Sequence, residues 1–218
     1  AGNRDLRDVA GVLTTANAMF KRYRGATKTE ELYKELKYVL DTFAKPLLEL
    51  TLELSAGLEA NVGNVEASRQ LLTCLRLACR VFFSLNSQEL PEVFEDAMAE
   101  WMGAFHKFLT YDAPAGLASS DDEKASEVDQ VKAAVCDNIN LYIEKNEEEF
   151  APYLQTFVQD VWTLLMATDL KANRDHLVTS GVKFLTTVAS SVHYKLFESS
   201  DTLRQVCENI IIPNLQFR

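Results

Sequence analysis

The chain has 218 residues, of which 47% are hydrophobic and 25% charged, and 32 acidic against 22 basic side chains leave a formal net charge of −10. That balance supports a large buried core and excludes a disordered tail. An acidic surface repels phosphate backbones, which excludes nucleic acid as the expected partner and favours a basic protein surface.

In chain order, the first expected helix covers about Asp5–Tyr23 and ends in the basic-aromatic cluster Phe20-Lys21-Arg22-Tyr23-Arg24. Cations at a helix end offset its dipole, and the same cluster offers Lys21, Arg22 and Arg24 as contacts for a partner. Thr27-Lys28-Thr29-Glu30 has capping-box form. Leu32, Leu36, Leu40, Phe43, Leu47, Leu50 and Leu54 then step by three and four along one helix face. Pro46 lies within that stripe and predicts a kink or break near Phe43.

Leu71, Leu75, Ala78, Phe82 and Leu85 form the next stripe, and Phe94, Met98, Trp101, Phe105 and Phe108 another, opening at Pro91. Thr110–Ser119, with Pro114 and Gly116 and no apolar period, is the expected mobile loop. Ser120-Asp121-Asp122-Glu123 again has capping-box form, ahead of a helix expected over Asp121–Glu149 with its stripe on Val128, Val131, Val135, Ile139 and Tyr142. Two acidic runs stand out there. Asp121, Asp122 and Glu123 read either as a dipole-stabilised first turn or as a landing surface for a basic partner. Glu147 and Glu148, with Glu149, read either as a solvated helix end or as the same kind of surface. Pro152 marks the expected first turn of a helix carrying Leu154, Phe157, Val161 and Leu165. Stripes at Val178–Val188 and Leu203–Ile210 complete eight helices, and alternation of the strand kind never persists.

A spacing recurs. Pro91 to Pro152 and Trp101 to Trp162 are both 61 residues. Two anchors at one offset suggest one helix used twice, hence stacked helical hairpins that bury each other's apolar faces, with Trp101 and Trp162 as equivalent core plugs. A globular bundle with chance matches is the competing reading. The expected architecture is an all-α solenoid of HEAT type, about eight helices in three to four hairpins, forming one continuous array over 1–218. The chain starts without methionine and ends directly after an apolar helix, so it is expected to be a stretch of a longer array.

Catalytic constellations are missing from the pattern. His106, His176 and His193 lack a glutamate three residues before them, and no HExxH, GxSxG, P-loop or GxGxxG occurs. Each histidine is read as a surface or core-edge residue. Cys74, Cys79, Cys136 and Cys207 fall in helical patterns without metal-ligand spacing and are read as buried thiols. No apolar run approaches the ~20 residues of a membrane span.

Ordered sets of residues carry a family likeness. They are Phe20–Arg24; Ser84–Asp96 with Trp101-Met102 and Phe105-His106; Asp137-Asn138, Leu141-Tyr142 and Glu148-Glu149-Phe150, with Tyr153-Leu154, Phe157-Val158 and Val161-Trp162; and His193-Tyr194 and Ile212-Pro213-Asn214 with Phe217-Arg218. In this order they resemble the importin-alpha re-exporters of the importin-beta superfamily of karyopherins. The loops Gly25–Thr27, Gly57–Gly63 and Ala113–Ser119 depart from that pattern.

The resemblance implies a HEAT-repeat nuclear export receptor, with this chain drawn from its N-terminal half. Such a receptor binds Ran-GTP together with importin-alpha, shuttles between nucleus and cytoplasm with nuclear pore proteins as further partners, and has neither catalysis nor cofactor of its own. It also implies that the second helix of each hairpin lines the concave side. In this chain those are the helices around Asp5–Tyr23, Asn64–Leu85, Asp121–Glu149 and Asn173–Ser191. Lys21, Arg22, Arg24, Asp121, Asp122, Glu123, Glu147 and Glu148 are the candidate protein-interaction residues.

Overall fold

A computed structural model describes residues 5–119, 123–169 and 171–199, with a few isolated positions beyond 200. The described residues hold eight α-helices and no strand: α1 (Leu6–Phe20), α2 (Glu30–Ala60), α3 (Val65–Asn86), α4 (Glu92–Asp96), α5 (Met98–Leu109), α6 (Glu127–Lys145), α7 (Glu147–Ala167) and α8 (Asp175–Ala189). The stripe at Leu203–Ile210 falls largely outside them, as does Cys207.

The helices form two layers. α1, α3, α6 and α8 pack side by side in sequence, each against the next. α2, α4–α5 and α7 make the second layer, and each element of that layer also packs on the helix that follows it. Three hairpins result, α2/α3, α4–α5/α6 and α7/α8, and α1 adds a further helix to the first layer. This is the stacking of an α-solenoid, in which neighbours cover the apolar face that a single hairpin leaves open.

Local chemistry sets the helix starts. Asp5, Thr29, Asn64 and Ser126 each take extended or near-extended backbone at the N-cap and accept a hydrogen bond from a backbone N–H two or three residues on. The two expected capping boxes therefore shift. Thr29 caps α2 rather than Thr27. Ser126 caps α6 rather than Ser120, accepting from Asp129 N at 3.0 Å, so α6 starts at Glu127. α6 also ends early, at Lys145. Glu147, Glu148 and Glu149 are the first turn of α7, not the end of the preceding helix, and their charge faces the favourable end of the dipole.

The prolines behave differently from expectation. α2 runs for 31 residues straight through Pro46 with no break in helix. The Pro46 ring is on the solvent side, while Ala44 and Leu47 beside it are buried, so packing outweighs one lost hydrogen bond. Pro91 caps α4 from outside the helix, and Pro152 is the sixth residue of α7, so the two are not equivalent positions.

The tryptophans are not equivalent either. Trp101 is fully buried, touching Phe82, Phe94 and Phe105 with ring centroids 4.3, 5.9 and 5.8 Å away. Trp162 is only partly buried, at the edge of the core. The buried stripe does repeat, with a different spacing: Phe94, Met98, Trp101, Phe105 and Leu109 correspond to Phe150, Leu154, Phe157, Val161 and Leu165, 56 residues on. Phe157 is the counterpart of Trp101. A five-residue discrepancy turns a side chain about 140° around a helix, which carries Trp162 off the buried face.

One aromatic series links the hairpins. Phe82 on α3 contacts Tyr142 on α6, Tyr142 contacts Phe150 on α7, and Phe150 contacts both Phe157 and Phe184 on α8, at centroid distances of 6.0, 6.0, 5.6 and 6.4 Å. The segment 110–119 is tied down rather than loose. It makes a short 3-10 turn, Ala115–Leu117, whose Leu117 is buried. Arg69 donates to Gly116 O at 3.0 Å and to Glu127 Oε2 at 2.7 Å. Gly116 lies so close to α3 that a Cβ there would come within 2.8 Å of Val65 Cγ2.

Candidate protein-interaction surface

The first layer offers a surface because only one side of its helices is covered. α3 and α6 show the consequence: a run of buried apolar residues on one face, and arginines, Asp137 and Gln130 on the other. The layer is held by polar contacts as well as by packing. Asn138 of α6, fully buried, donates to Cys79 O of α3 and to Ala134 O, each at 3.0 Å. Lys145 donates to Ser87 O, and Thr187 of α8 donates to Asn140 Oδ1 at 2.8 Å. Ser180 of α8 donates to Asp137 Oδ1 at 2.9 Å. These bonds fix the lateral register of α3, α6 and α8, so the outward side chains are presented on a stiff frame.

The structure separates the residues singled out from sequence. Lys21 is exposed in the 3-10 turn Lys21–Gly25 that follows α1. Arg22 turns the other way and pairs with Glu35 of α2, which also accepts from Tyr23 Oη at 2.6 Å. Arg24 reaches into the first layer. It donates to Ser84 Oγ and Arg80 O, both at 3.0 Å, and lies over the Phe83 ring at 4.9 Å. Asp121 and Asp122 lie outside the described residues, and Glu123 is exposed in a turn ahead of α6. Glu147 and Glu148 open α7, where Glu147 Oε1 lies 3.2 Å from His193 Nε2. The basic cluster is thus divided between two faces, and the acidic residues that are described form no patch with it.

One grouping escaped the sequence. Arg76 and Arg80 of α3 and His176 of α8 line the same pocket as Arg24. The spacing of Arg76 and Arg80, four residues apart on the polar side of an apolar stripe, was legible. Nothing in sequence links them to Arg24, which a turn and the α1–α3 packing bring to them.

His106 Nδ1 and Asp160 Oδ2 sit 2.6 Å apart across α5 and α7 on the second layer, the histidine half-exposed and the carboxylate largely buried. His176 is exposed and His193 lies at the edge of the core. Among the described residues no group of three His, Cys, Asp or Glu side chains is placed to hold a metal ion. Cys74, Cys79 and Cys136 are buried free thiols. Burial pushes Cys74 up to about 11 and Cys79 to about 12, and raises Cys136 further still. No helix of the described residues is long and apolar enough to cross a membrane.

Comparison with known proteins decides the lineage. The sequence profile of the Cse1 family matches residues 19–218. The chain belongs to the Cse1 family. Exportin-2 of Oreochromis niloticus is 44% identical to this Cse1-family chain over 98% of it and 22% of the relative. Exportin-2 of Homo sapiens and of Drosophila melanogaster are each 43% identical over the same shares. A solved structure described as the exportin Cse1 in its cargo-free, cytoplasmic state superposes with a TM-score of 0.95 at 33% identity, covering 100% of this chain and 24% of that one. The chain therefore spans about a fifth to a quarter of the length of these relatives. Its fold is the HEAT-repeat α-solenoid of that exportin structure, and its family is the one that the ordered motifs implied.

Proposed function

We propose that this Cse1-family chain forms one continuous HEAT-repeat stretch of a nuclear export receptor that binds Ran-GTP and importin-alpha together, returns importin-alpha from nucleus to cytoplasm, and releases both when Ran hydrolyses its nucleotide. The observation that carries this is the 44% identity to exportin-2 over 98% of the chain, joined to a fold that matches exportin Cse1 at a TM-score of 0.95. The receptor contributes binding and elasticity, and the bond-breaking chemistry is Ran's. Its partners meet it through many weak contacts spread over successive repeats, which multiply when engaged together. The uncovered side of α1, α3, α6 and α8 is this segment's share of that surface. Nuclear pore proteins are its partners during passage, and its steady state is division between nucleus and cytoplasm.

The test is a pulldown with the full-length protein. Ran loaded with a non-hydrolysable GTP analogue, presented with importin-alpha, should be retained as a ternary complex, and Ran-GDP should not. Equal retention of both nucleotide forms, or of neither, would instead support a helical-repeat scaffold without Ran coupling.

A further inference from the structure

Within an acidic chain, one pocket of the first layer concentrates arginine. It encloses about 140 Å³ at the meeting of the turn after α1 with α3, α6 and α8. Arg24, Arg76 and Arg80 line it, with Asp137 and His176 across from them. Arg24 is already committed, fixed by its bonds to Ser84 Oγ and Arg80 O and by the Phe83 ring. Arg76 and Arg80 are half-buried, and among the described residues neither guanidinium makes an ion pair or a side-chain hydrogen bond. They are four residues apart on α3, so the two like charges share one helix face. Asp137 is held by Ser180 and balances only part of this charge.

We propose that this pocket is a carboxylate-binding site, which clamps an Asp or Glu side chain of a protein partner between the Arg76 and Arg80 guanidiniums. A guanidinium presents parallel N–H donors that match the two oxygens of a carboxylate, and burial strengthens such bonds. The stems rest on an apolar floor that includes Cys79, Phe83 and Ala134. The arginine charges of the pocket repel one another. Burial, and then the charge of Arg80, makes both Arg24 and Arg76 hold their protons less firmly than an ordinary arginine. An incoming carboxylate offsets that repulsion.

A protein carboxylate fits better than a nucleic-acid phosphate. The pocket has room for one side chain, whereas a nucleic acid needs a track of cations, and the chain as a whole carries a charge of −10. The inference rests on the protein-binding reading above only in taking the carboxylate from a partner.

The test needs neither Ran nor importin-alpha, so the two readings fail separately. Fluorescein-labelled hexaglutamate peptide is titrated against the full-length protein at low salt. The R76Q/R80Q double variant should weaken binding about tenfold or more, as loss of charge-assisted bonds does. Asp137→Asn removes the competing carboxylate and should tighten binding about threefold. Hexaglutamate should also protect Arg76 and Arg80 from phenylglyoxal, read by mass spectrometry, which localises the site. If the double variant does not fold, Arg80→Lys, which keeps the charge and loses the fork, should still weaken binding. Unchanged affinity in a folded R76Q/R80Q protein, absence of protection at Arg76 and Arg80, or tighter arginine-dependent binding of a single-stranded oligonucleotide would each overturn the proposal.

Discussion

Trp101 and Trp162 look interchangeable in the sequence and are opposites in the structure. Each sits ten residues after a proline in a long apolar helix. Trp101 has no exposed surface and is hemmed in by Phe82, Phe94 and Phe105, whereas Trp162 rests on the rim. The difference comes from how each helix begins. Pro91 stands just before the first residue of α4, whereas Pro152 is already the sixth residue of α7. α7 runs unbroken from Glu147, so Phe150 and Phe157 take the places that Phe94 and Trp101 hold one hairpin earlier. Burial is decided by the phase of a helix against its neighbour, and residue identity follows.

The sharpest way to break this comparison is to truncate both indoles. Trp101→Ala should cost about 3–5 kcal/mol, because it opens a cavity amid three aromatic rings that cannot collapse. Trp162→Ala should cost about 1–2 kcal/mol, the transfer term of a partly buried ring alone. Phe157→Ala, the true counterpart, should fall with Trp101. Denaturant unfolding of the three variants checks the order. Equal losses at 101 and 162 would restore the 61-residue repeat and discredit the 56-residue one.

What could be read from sequence divides along the same line. Apolar stripes three and four apart fixed seven helices and their order, because periodicity survives any uncertainty about ends. The layering was legible too, since short connections force successive helices to pack. The starts at Asp5 and Asn64 were legible, but those of α2, α6 and α7 were misplaced by two to six residues. Thr27 and Ser120 satisfy a local capping rule, but the chain must first cross between layers, and Thr29 and Ser126 stand where the crossing finishes. Pro46 shows the limit of a local rule from the other side: a packed helix of 31 residues absorbs it. The arginine pocket was half legible. Arg24 was marked for its neighbours Lys21 and Arg22, which point elsewhere, and its partners Arg76 and Arg80 lie more than fifty residues away.

The polar bonds between α3 and α6 sharpen the comparison further, for they set the phase that the indoles obey. Asn138→Ala leaves Cys79 O without its side-chain donor in a site that excludes solvent, and should cost about 1–3 kcal/mol. Asn140, also buried, has the half-exposed Thr187 and Glu144 side chains as partners, both able to turn to water. Asn140→Ala should therefore cost less than Asn138→Ala. The reverse order in chemical unfolding would place the register elsewhere.

The buried thiols of α3 predict a pH effect. Cys74 and Cys79 hold their protons to about 11 and about 12, because burial penalises the thiolate. In the unfolded chain an ordinary thiol ionises near ~8.5. The folded state therefore binds more protons between those values, and stability is full below the unfolded pKa and falls as pH rises towards the folded ones. Thermal melts from pH 7 to pH 10 should show a decline above about pH 9 that Cys79→Ala reduces. At pH 8 these thiols should react with a disulfide reagent only as fast as the protein opens.

The smallest expected effect separates a tethered loop from a merely short one. Arg69 joins α3, the Ala115–Leu117 turn and the first turn of α6, through Gly116 O and Glu127. Both ion-pair partners are largely shielded, so the contact keeps more of its strength than an exposed pair such as Lys107–Glu59. Arg69→Ala should cost about 1 kcal/mol, and Lys107→Ala less than about 0.5 kcal/mol. Stability is the weaker readout, since Leu117 remains buried and continues to hold the turn. Limited proteolysis is the stronger one. A protease needs several residues of extended chain, and loss of Arg69 frees the Gly116 carbonyl that now fixes the backbone. Cleavage within 110–119 should accelerate in Arg69→Ala and stay slow in Lys107→Ala. Fast cleavage of the unmodified chain at that segment would show that its composition, rather than its tether, governs its motion.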